Sequence, residues 1–421
     1  MFKFLHGADI HLDSPMHRLD RYEGAPVERL RHATRRAFGN LVELAIEEKV
    51  AFVLIAGDLY DGDWHDYNTG LYLVSQLSRL REAHISVYIV AGNHDAASKI
   101  TKTLRLPEGV ILFASDKPET HFLEHEMVAL HGQSFPSPAV TRNLSKDYPS
   151  PVAAYFNIGL LHTCATGREG HEPYAPCTLD DLRSKGYDYW ALGHVHEREV
   201  LLEHPLTVFP GNVQGRHVRE SGAKGCVLVN VDDQGTPQCE FRSLDVVRWC
   251  REKFDAYALR SGYDLVDRAA ERMETLLKEN PGLTLILRVQ ATGGCPAHDE
   301  LASDVERWTN EMRAAALDQG GERLWIEKVE VLTRPISQDG TMEEASGPMA
   351  ELMRDLREIC NSPEAMQNLG SELDDLRKKL PRELAAGGEG AGVDDEAWLS
   401  RVLAQVKPML IRRLIEKEEK K

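Results

Sequence analysis

Eight residues in the first 200 positions have side chains that hold metals or move protons, and they recur in short, similarly built clusters: Asp9 and His11, Asp58, Asn93 and His94, His162, and His194 and His196. Two imidazoles two residues apart share one face of a strand, and on a turn they can converge on adjacent metals. Asp9 and His11 repeat that device. Carboxylate, imidazole and amide oxygen without thiolate suit Mn²⁺, Fe²⁺ or Zn²⁺. Two such ions about 3.5 to 4 Å apart clamp the attacking and leaving oxygens of an in-line phosphoryl displacement and acidify a bridging water. That arrangement needs one shared carboxylate, and Asp58, alone at its strand end, is the candidate. Any one of these residues alone reads more readily as a hydrogen-bonded structural group. The same arrangement at five strand ends reads as a metal site.

Those strand ends come from apolar, β-branched and aromatic runs: Phe2 to Leu5, Phe52 to Ala56, Val87 to Ala91, Asn157 to Leu161 and Tyr189 to Leu192. Between the first three, residues 27 to 49 and Tyr67 to Glu82 carry apolar positions at helical spacing. Strand, helix, strand, helix, strand predicts a crossover sheet with ligands at the carboxyl ends of its strands. From 105 to 160 short alternating runs, Val110 to Phe113 and Met127 to His131, are split by prolines and predict a second, more antiparallel sheet. Val208 to Pro210 and Cys226 to Val231 are expected to join it. The fold class is therefore α/β, a two-sheet sandwich flanked by helices over residues 1–250. Residues 251–335 read as a small α+β module, with helices at Asp264 to Lys278 and Glu300 to Leu317 and strands at Leu283 to Gln290 and Trp325 to Leu332. Residues 336–421 read as helical, with Pro363 at a first helical position behind Ser362 and a glycine-rich joint at 385–393.

With 50 basic and 67 acidic residues the formal charge is −17, which excludes binding nucleic acid through a field spread over the whole surface. Local basic sets remain: Arg29, Arg31, Arg35 and Arg36 on one helix, Lys99, Lys102 and Arg105 after the His94 loop, and Arg216 and Arg219 after Gly211. Seven cysteines without a Cys-x-x-Cys pair indicate neither a disulfide framework nor a zinc knot, so a reducing, cytoplasmic setting is the expectation. No apolar run approaches the roughly 18 residues of a membrane span, and no membrane association is expected.

In order, the motifs are Asp-x-His, Gly-Asp, Gly-Asn-His-Asp, His and Gly-His-x-His, and with them the chain resembles the calcineurin-like metallophosphoesterases. Gly57-Asp58-Leu59-Tyr60-Asp61-Gly62-Asp63-Trp64 and the run Gly211 to Glu220, with Asn212, Gln214, Arg216 and Arg219, resemble the SbcD-type DNA repair exonucleases and most closely their YhaO-like branch. The resemblance implies that Asp9, His11, Asp58 and His196 hold one divalent metal ion, with Mn²⁺ as the expected metal. Asp58, Asn93, His162 and His194 would hold the other. It implies that His94 stands over the scissile phosphate, with Asp95 orienting its imidazole and favouring the protonated form, and that Arg216, Arg219, Lys99 and Lys102 contact substrate. It implies further a DNA nuclease acting with a coiled-coil SbcC-like or YhaN-like ATPase, a homodimer through the catalytic domain, and a capping domain at 251–335 that touches DNA. Where the resembled nucleases lead one to look for His three residues after the bridging Asp, this chain has Asp61, which predicts weaker exonuclease action with metal binding retained. The alternatives are a scaffold that binds DNA ends or the ATPase, and a phosphodiesterase for small nucleotides.

Overall fold

The computed structural model describes residues 1–14, 29–30, 32–61, 67–97, 104–165, 174–336 and 362–372, with single positions 379, 399, 402, 403 and 406 beyond them. The chain divides into two compact units, one made of residues 1–251, 277–287 and 322–325 and the other of the remaining residues.

The first unit is built on two six-stranded sheets. β1 (Phe2–Gly7), β2 (Phe52–Ala56), β3 (Ser86–Val90) and β4 (Val110–Leu112) run parallel, with helices α1 (Ala33–Glu47) and α2 (Tyr67–Glu82) as crossovers. β1, β2 and β3 are largely buried on both faces, and the period of two shows which face each residue serves. Leu5, Val53, Ile55, Val87 and Ile89 pack with Phe38, Leu41, Leu73 and Leu77 of the two helices. Phe4, Phe52, Leu54, Tyr88 and Val90 pack instead with Ile158, Leu160, Tyr189, Ala191 and Val208 of the second sheet. Phe4 and Phe52 stack with ring centroids 4.9 Å apart. Two sheets that share such an apolar layer must hold their strand ends in one fixed relation.

The second sheet has the order β5 (Glu119–Leu123), β6 (Val128–Gly132), β7 (Phe156–His162), β8 (Tyr189–Gly193), β10 (Leu206–Phe209), β9 (Glu199–Glu203). Its core pairs, β6 with β7, β7 with β8 and β8 with β10, are parallel, and only the outer pairs are antiparallel. The expectation of a mainly antiparallel sheet is therefore corrected. Two assigned strands also change sheets. Val110–Leu112 pairs parallel with β3, and β11 (Gly225–Val231) pairs antiparallel with β1, Phe2 opposite Val231, so both belong to the first sheet. β12 (Pro237–Ser243) adds to β11 at the edge. A short α3 (Asn93–Ala97) follows β3, and α4 (Leu179–Ser184), with a capping box between Thr178 and Asp181, precedes β8.

In the remaining chain α5 (Gly262–Glu279) and α7 (Val305–Gly320), with the short α6 (His298–Ser303) between them, accompany a three-stranded sheet of order β13 (Val247–Asp255), β14 (Thr284–Cys295), β15 (Leu324–Pro335). The single helix expected at Glu300 to Leu317 is broken at Asp304, whose side chain accepts from Arg307 N and caps α7. Gly262 lies so close to the buried Trp308 ring that a Cβ would meet it at 2.2 Å. α8 (Pro363–Glu372) begins as expected, with Ser362 Oγ accepting from Ala365 N at 3.2 Å. The glycine-rich joint and most of the tail lie outside the described residues. No described helix is long and apolar enough to cross a membrane.

Candidate metal centre

Asp9 and His11 follow β1, Asp58 follows β2, Asn93 and His94 open α3 behind β3, His162 ends β7, and His194 and His196 follow β8. The turns after β1 and β2 are laced together: Asp9 N donates to Gly57 O, His11 N to Asp58 O and Leu12 N to Leu59 O, each at 3.0 Å. Asp9, His11, Asp58 and His194 hold φ of 49°, 45°, 52° and 103°, a strained region for a side-chain-bearing residue and one that clusters at functional sites. Two glycines let the strand ends close. A Cβ on Gly193 would sit 1.8 Å from Ala56 O, and one on Gly92 would sit 2.3 Å from Asp58 Oδ1.

Among the described residues, donor atoms converge in three overlapping groups, each within 4.8 Å: Asp9, His11 and His196; His11, Asp58 and His94; and Asp58, His162 and His194. His11 Nε2 and His196 Nε2 are 3.2 Å apart, and His162 Nε2 is 3.0 Å from Asn93 Oδ1. Asp58 Oδ2 lies 3.9 Å from His11 Nε2 and 3.5 Å from His162 Nε2, between the two ends of the array. Backbone groups fix the donors: His162 Nδ1 is 2.9 Å from Ala56 O, and His194 N donates to both oxygens of Asp9 at 3.0 and 3.1 Å.

Electrostatics at these atoms fits cations. Burial raises the pKa of Asp58 to about 6, and burial followed by the Asp58 charge pushes Asp9 well up. Burial also drives His162 down to about 3 and His11 well below its ordinary value, which keeps both imidazoles neutral with a lone pair to give. Adjacent buried carboxylates and neutral imidazoles are unfavourable by themselves and become favourable around divalent charge. The donor set fits two divalent ions.

Asp95 is placed differently from expectation. Its carboxylate accepts from Leu59 N at 3.2 Å, Tyr60 N at 2.9 Å and Gly92 N at 3.0 Å, so it ties the β2 and β3 turns together. Consecutive residues on a helical turn diverge by about 100°, so His94 and Asp95 face apart. Asp61 is the carboxylate beside His94, with Oδ1 3.1 Å from Nδ1, and it raises the pKa of that imidazole against the opposing effect of burial. Burial pushes Asp61 up, but the adjacent His11 and His94 imidazoles outweigh this and hold it far below the usual carboxylate range. Its other oxygen accepts from Ser14 Oγ at 2.7 Å. His94 is 39% exposed, whereas His11, Asp58 and His162 are at most 2% exposed.

The sequence reading missed Glu220, whose Oε1 lies 2.6 Å from His196 Nδ1, leaving Nε2 as the donor nitrogen. Its only signal was its place at the end of the Gly211 to Glu220 run. Arg216 is buried, with Nη1 3.2 Å from Ser14 Oγ and Nη2 3.4 Å from Glu220 Oε1, which corrects its reading as a substrate contact. Arg219 is exposed on the short turn Val218–Glu220. Lys99 and Lys102 lie outside the described residues. On α1 and just before it the described arginines have protein partners, Arg31 lying outside the described residues: Arg35 Nε is 2.6 Å from Asp13 Oδ1, Arg29 is 3.2 Å from Glu322, and Arg36 reaches Arg29 O at 2.6 Å. That is the ordinary role of helix charge, and it makes those side chains poor phosphate contacts.

Residues 2–198 match the calcineurin-like phosphoesterases, and residues 249–334 match the middle domain of the metallophosphoesterase YhaO. The metallophosphoesterase YhaO of Bacillus subtilis is 37% identical over 293 residues, 69% of this chain and 72% of that one. The DNA double-strand break repair protein Mre11 of Sulfurisphaera tokodaii is 29% identical over 203 residues, 47% of this chain and half of that one. Mre11 of Methanopyrus kandleri is 27% identical over 381 residues, 82% of this chain and 74% of that one. The chain belongs to the calcineurin-like metallophosphoesterases, hydrolases of phosphate esters that depend on bound metal. Its branch is the one that carries the YhaO middle domain.

Proposed function

We propose that this phosphoesterase hydrolyses phosphodiester bonds of DNA with two Mn²⁺ ions, one held by Asp9, His11, Asp58 and His196, the other by Asp58, Asn93, His162 and His194. The observation that carries the reading is the position of Asp58 Oδ2 between His11 and His162, where one carboxylate serves both groups. When bound, the ions supply Lewis acidity and a water acidified enough to attack phosphorus near neutral pH. The chain's own contribution starts with His94, the most exposed of these imidazoles. Asp61 occupies its Nδ1 and favours its charged form, leaving Nε2 to stabilise a phosphoryl oxygen or protonate the leaving oxygen. Burial of the ligand set keeps bulk water from competing for the same atoms.

DNA as substrate is supported by the two Mre11 proteins, named for double-strand break repair. With a net charge of −17, affinity for a polyanion must arise at the ions and a few local cations such as Arg219. The partner we propose is a coiled-coil ATPase of the SbcC or YhaN kind, docking on the tail beyond residue 394. Incubating the full chain and Mn²⁺ with labelled linear duplex, single strand and bis-p-nitrophenyl phosphate tests the substrate. Mn²⁺-dependent cleavage of DNA supports the reading. Hydrolysis of the small ester alone points to small nucleotides, and cleavage of none points to a scaffold; either overturns it.

A further inference from the structure

Behind the ligand imidazoles lies a second layer, of which the two-metal reading uses only the contact of Asp61 with His94. Its anions are Asp61 and Glu220. Asp61 Oδ1 faces the Nδ1 atoms of His94, at 3.1 Å, and His11, at 3.5 Å; Glu220 Oε1 faces Nδ1 of His196 at 2.6 Å. Three imidazoles from three turns are thus backed by two carboxylates from two further places in the chain. Like charges so placed repel, and neither carboxylate sits on an element that fixes it relative to the other.

Arg216 reaches both. Its Nη2 lies 3.4 Å from Glu220 Oε1 and 3.4 Å from His196 Nδ1, while Nη1 lies 3.8 Å from Asp61 Oδ1 and 3.2 Å from Ser14 Oγ, which itself donates to Asp61. The loop is locked from its own side: Arg216 N donates to Glu220 Oε2 at 2.7 Å, and Asn212 Nδ2 donates to the same oxygen at 3.0 Å. A planar guanidinium can address two carboxylates at once, which a lysine ammonium on a flexible stem cannot do with fixed geometry. The side chain is 10% exposed, and its buried Nε has no hydrogen-bond partner, an unfavourable placement that the contacts of the fork must offset. A residue placed to bind an incoming phosphate would keep its fork open to solvent. This fork is turned onto the protein.

We propose that Arg216 is a positioning residue: it holds Asp61 and Glu220 in register, and through them sets the ring orientations of His11, His94 and His196. The proposal rests on the two-metal reading above. It predicts that loss of Arg216 disturbs metal coordination before it disturbs substrate binding.

The test uses the full chain, stripped of metal and titrated with Co²⁺ alone, whose visible absorption reports ligand number and geometry. Arg216→Gln should weaken Co²⁺ binding at least tenfold, the usual size of a lost partner behind a metal-bound histidine, and should change the absorption bands. On bis-p-nitrophenyl phosphate the loss should fall on kcat with KM unchanged. Because Arg216 acts partly through Glu220, combining Arg216→Gln with Glu220→Gln should cost less than the two single losses added together. Unchanged Co²⁺ affinity and spectrum in the Gln variant, or strictly additive losses, would overturn the proposal, and a raised KM beside them would return Arg216 to substrate binding. Should the Gln variant fail to fold, Arg216→Lys is read in the same way, with the spectrum altered although the charge is kept. A wild-type chain that takes up no Co²⁺ overturns the metal reading itself, which separates that failure from a failure of the Arg216 assignment.

Discussion

Replacing Asp58 by Asn should make the metal-free protein more stable and the metal-loaded protein less stable. Burial raises the Asp58 pKa from 3.8 to about 6. Two units at 1.36 kcal/mol each give about 3 kcal/mol. The direction follows from linkage: a folded pKa above the unfolded one contributes stability that is complete below about pH 4 and is lost as pH rises through about 6. Metal-free wild-type protein should therefore lose about 3 kcal/mol on going from pH 4 to pH 8 through this residue, and Asp58→Asn should not. The amide keeps an oxygen to accept from His94 N, 3.0 Å from Asp58 Oδ1 in the parent, so little else is lost. For a domain of about 250 residues, 3 kcal/mol corresponds to roughly 6 to 12 °C in Tm. Adding Mn²⁺ at a hundredfold excess over Kd returns about 3 kcal/mol per ion to wild type and much less to the variant. Thermal melts of EDTA-stripped chain at pH 4 and pH 8, with and without Mn²⁺, measure all four corners. A variant that melts lower than wild type at pH 8 without metal, by the same margin as at pH 4, would refute the reasoning, because burial of a charge would then not be what raises the pKa.

His94→Ala should retain both metal ions while turnover falls by roughly 10² to 10⁴, the usual size of a lost general acid, with metal content per chain measured after gel filtration. Gly92→Ala places a Cβ 2.3 Å from Asp58 Oδ1 and 2.9 Å from His162 Cε1, so it should destabilise by about 1–3 kcal/mol and release bound metal; full metal content at unchanged Tm would count against the close approach. Deleting residues 394–421 should abolish association with a YhaN-like ATPase in pull-downs and leave metal content and small-ester hydrolysis intact. Aggregation of the truncated chain would assign the tail to the protein's own core instead.

Much of the site was legible because ligand chemistry is local: a strand that ends in Gly-Asp or Gly-His-x-His announces both its position and its donors. The helix at Tyr67–Glu82 was readable to the residue, since its apolar period and the strand after it leave no alternative register. What could not be read was set by partners distant in sequence. Nothing in Cys226 to Val231 says that it pairs with β1 rather than with the second sheet, because a strand buried on both faces has no polar side to betray its neighbours. The resemblance gives Asp95 to His94, its neighbour in the chain, yet a helical turn separates their side chains and hands His94 to Asp61, thirty-three residues back. Glu220 behind His196 is invisible for the same reason.

The antiparallel pairing of β11 with β1 sets an order of events on the ribosome. β1 is made before the other strands of its sheet, and its register partner, Phe2 opposite Val231, is synthesised more than two hundred residues later. Until Gly225–Val231 emerges, β1 presents an open, apolar edge, the kind of surface on which chains pair wrongly with one another. Arg216 and Glu220 are made just before that strand, so the support behind the histidines arrives together with the strand that closes the sheet. A nascent chain halted before residue 225 therefore lacks its sealed edge, and one halted before residue 216 lacks both the seal and the framework that orients its metal ligands.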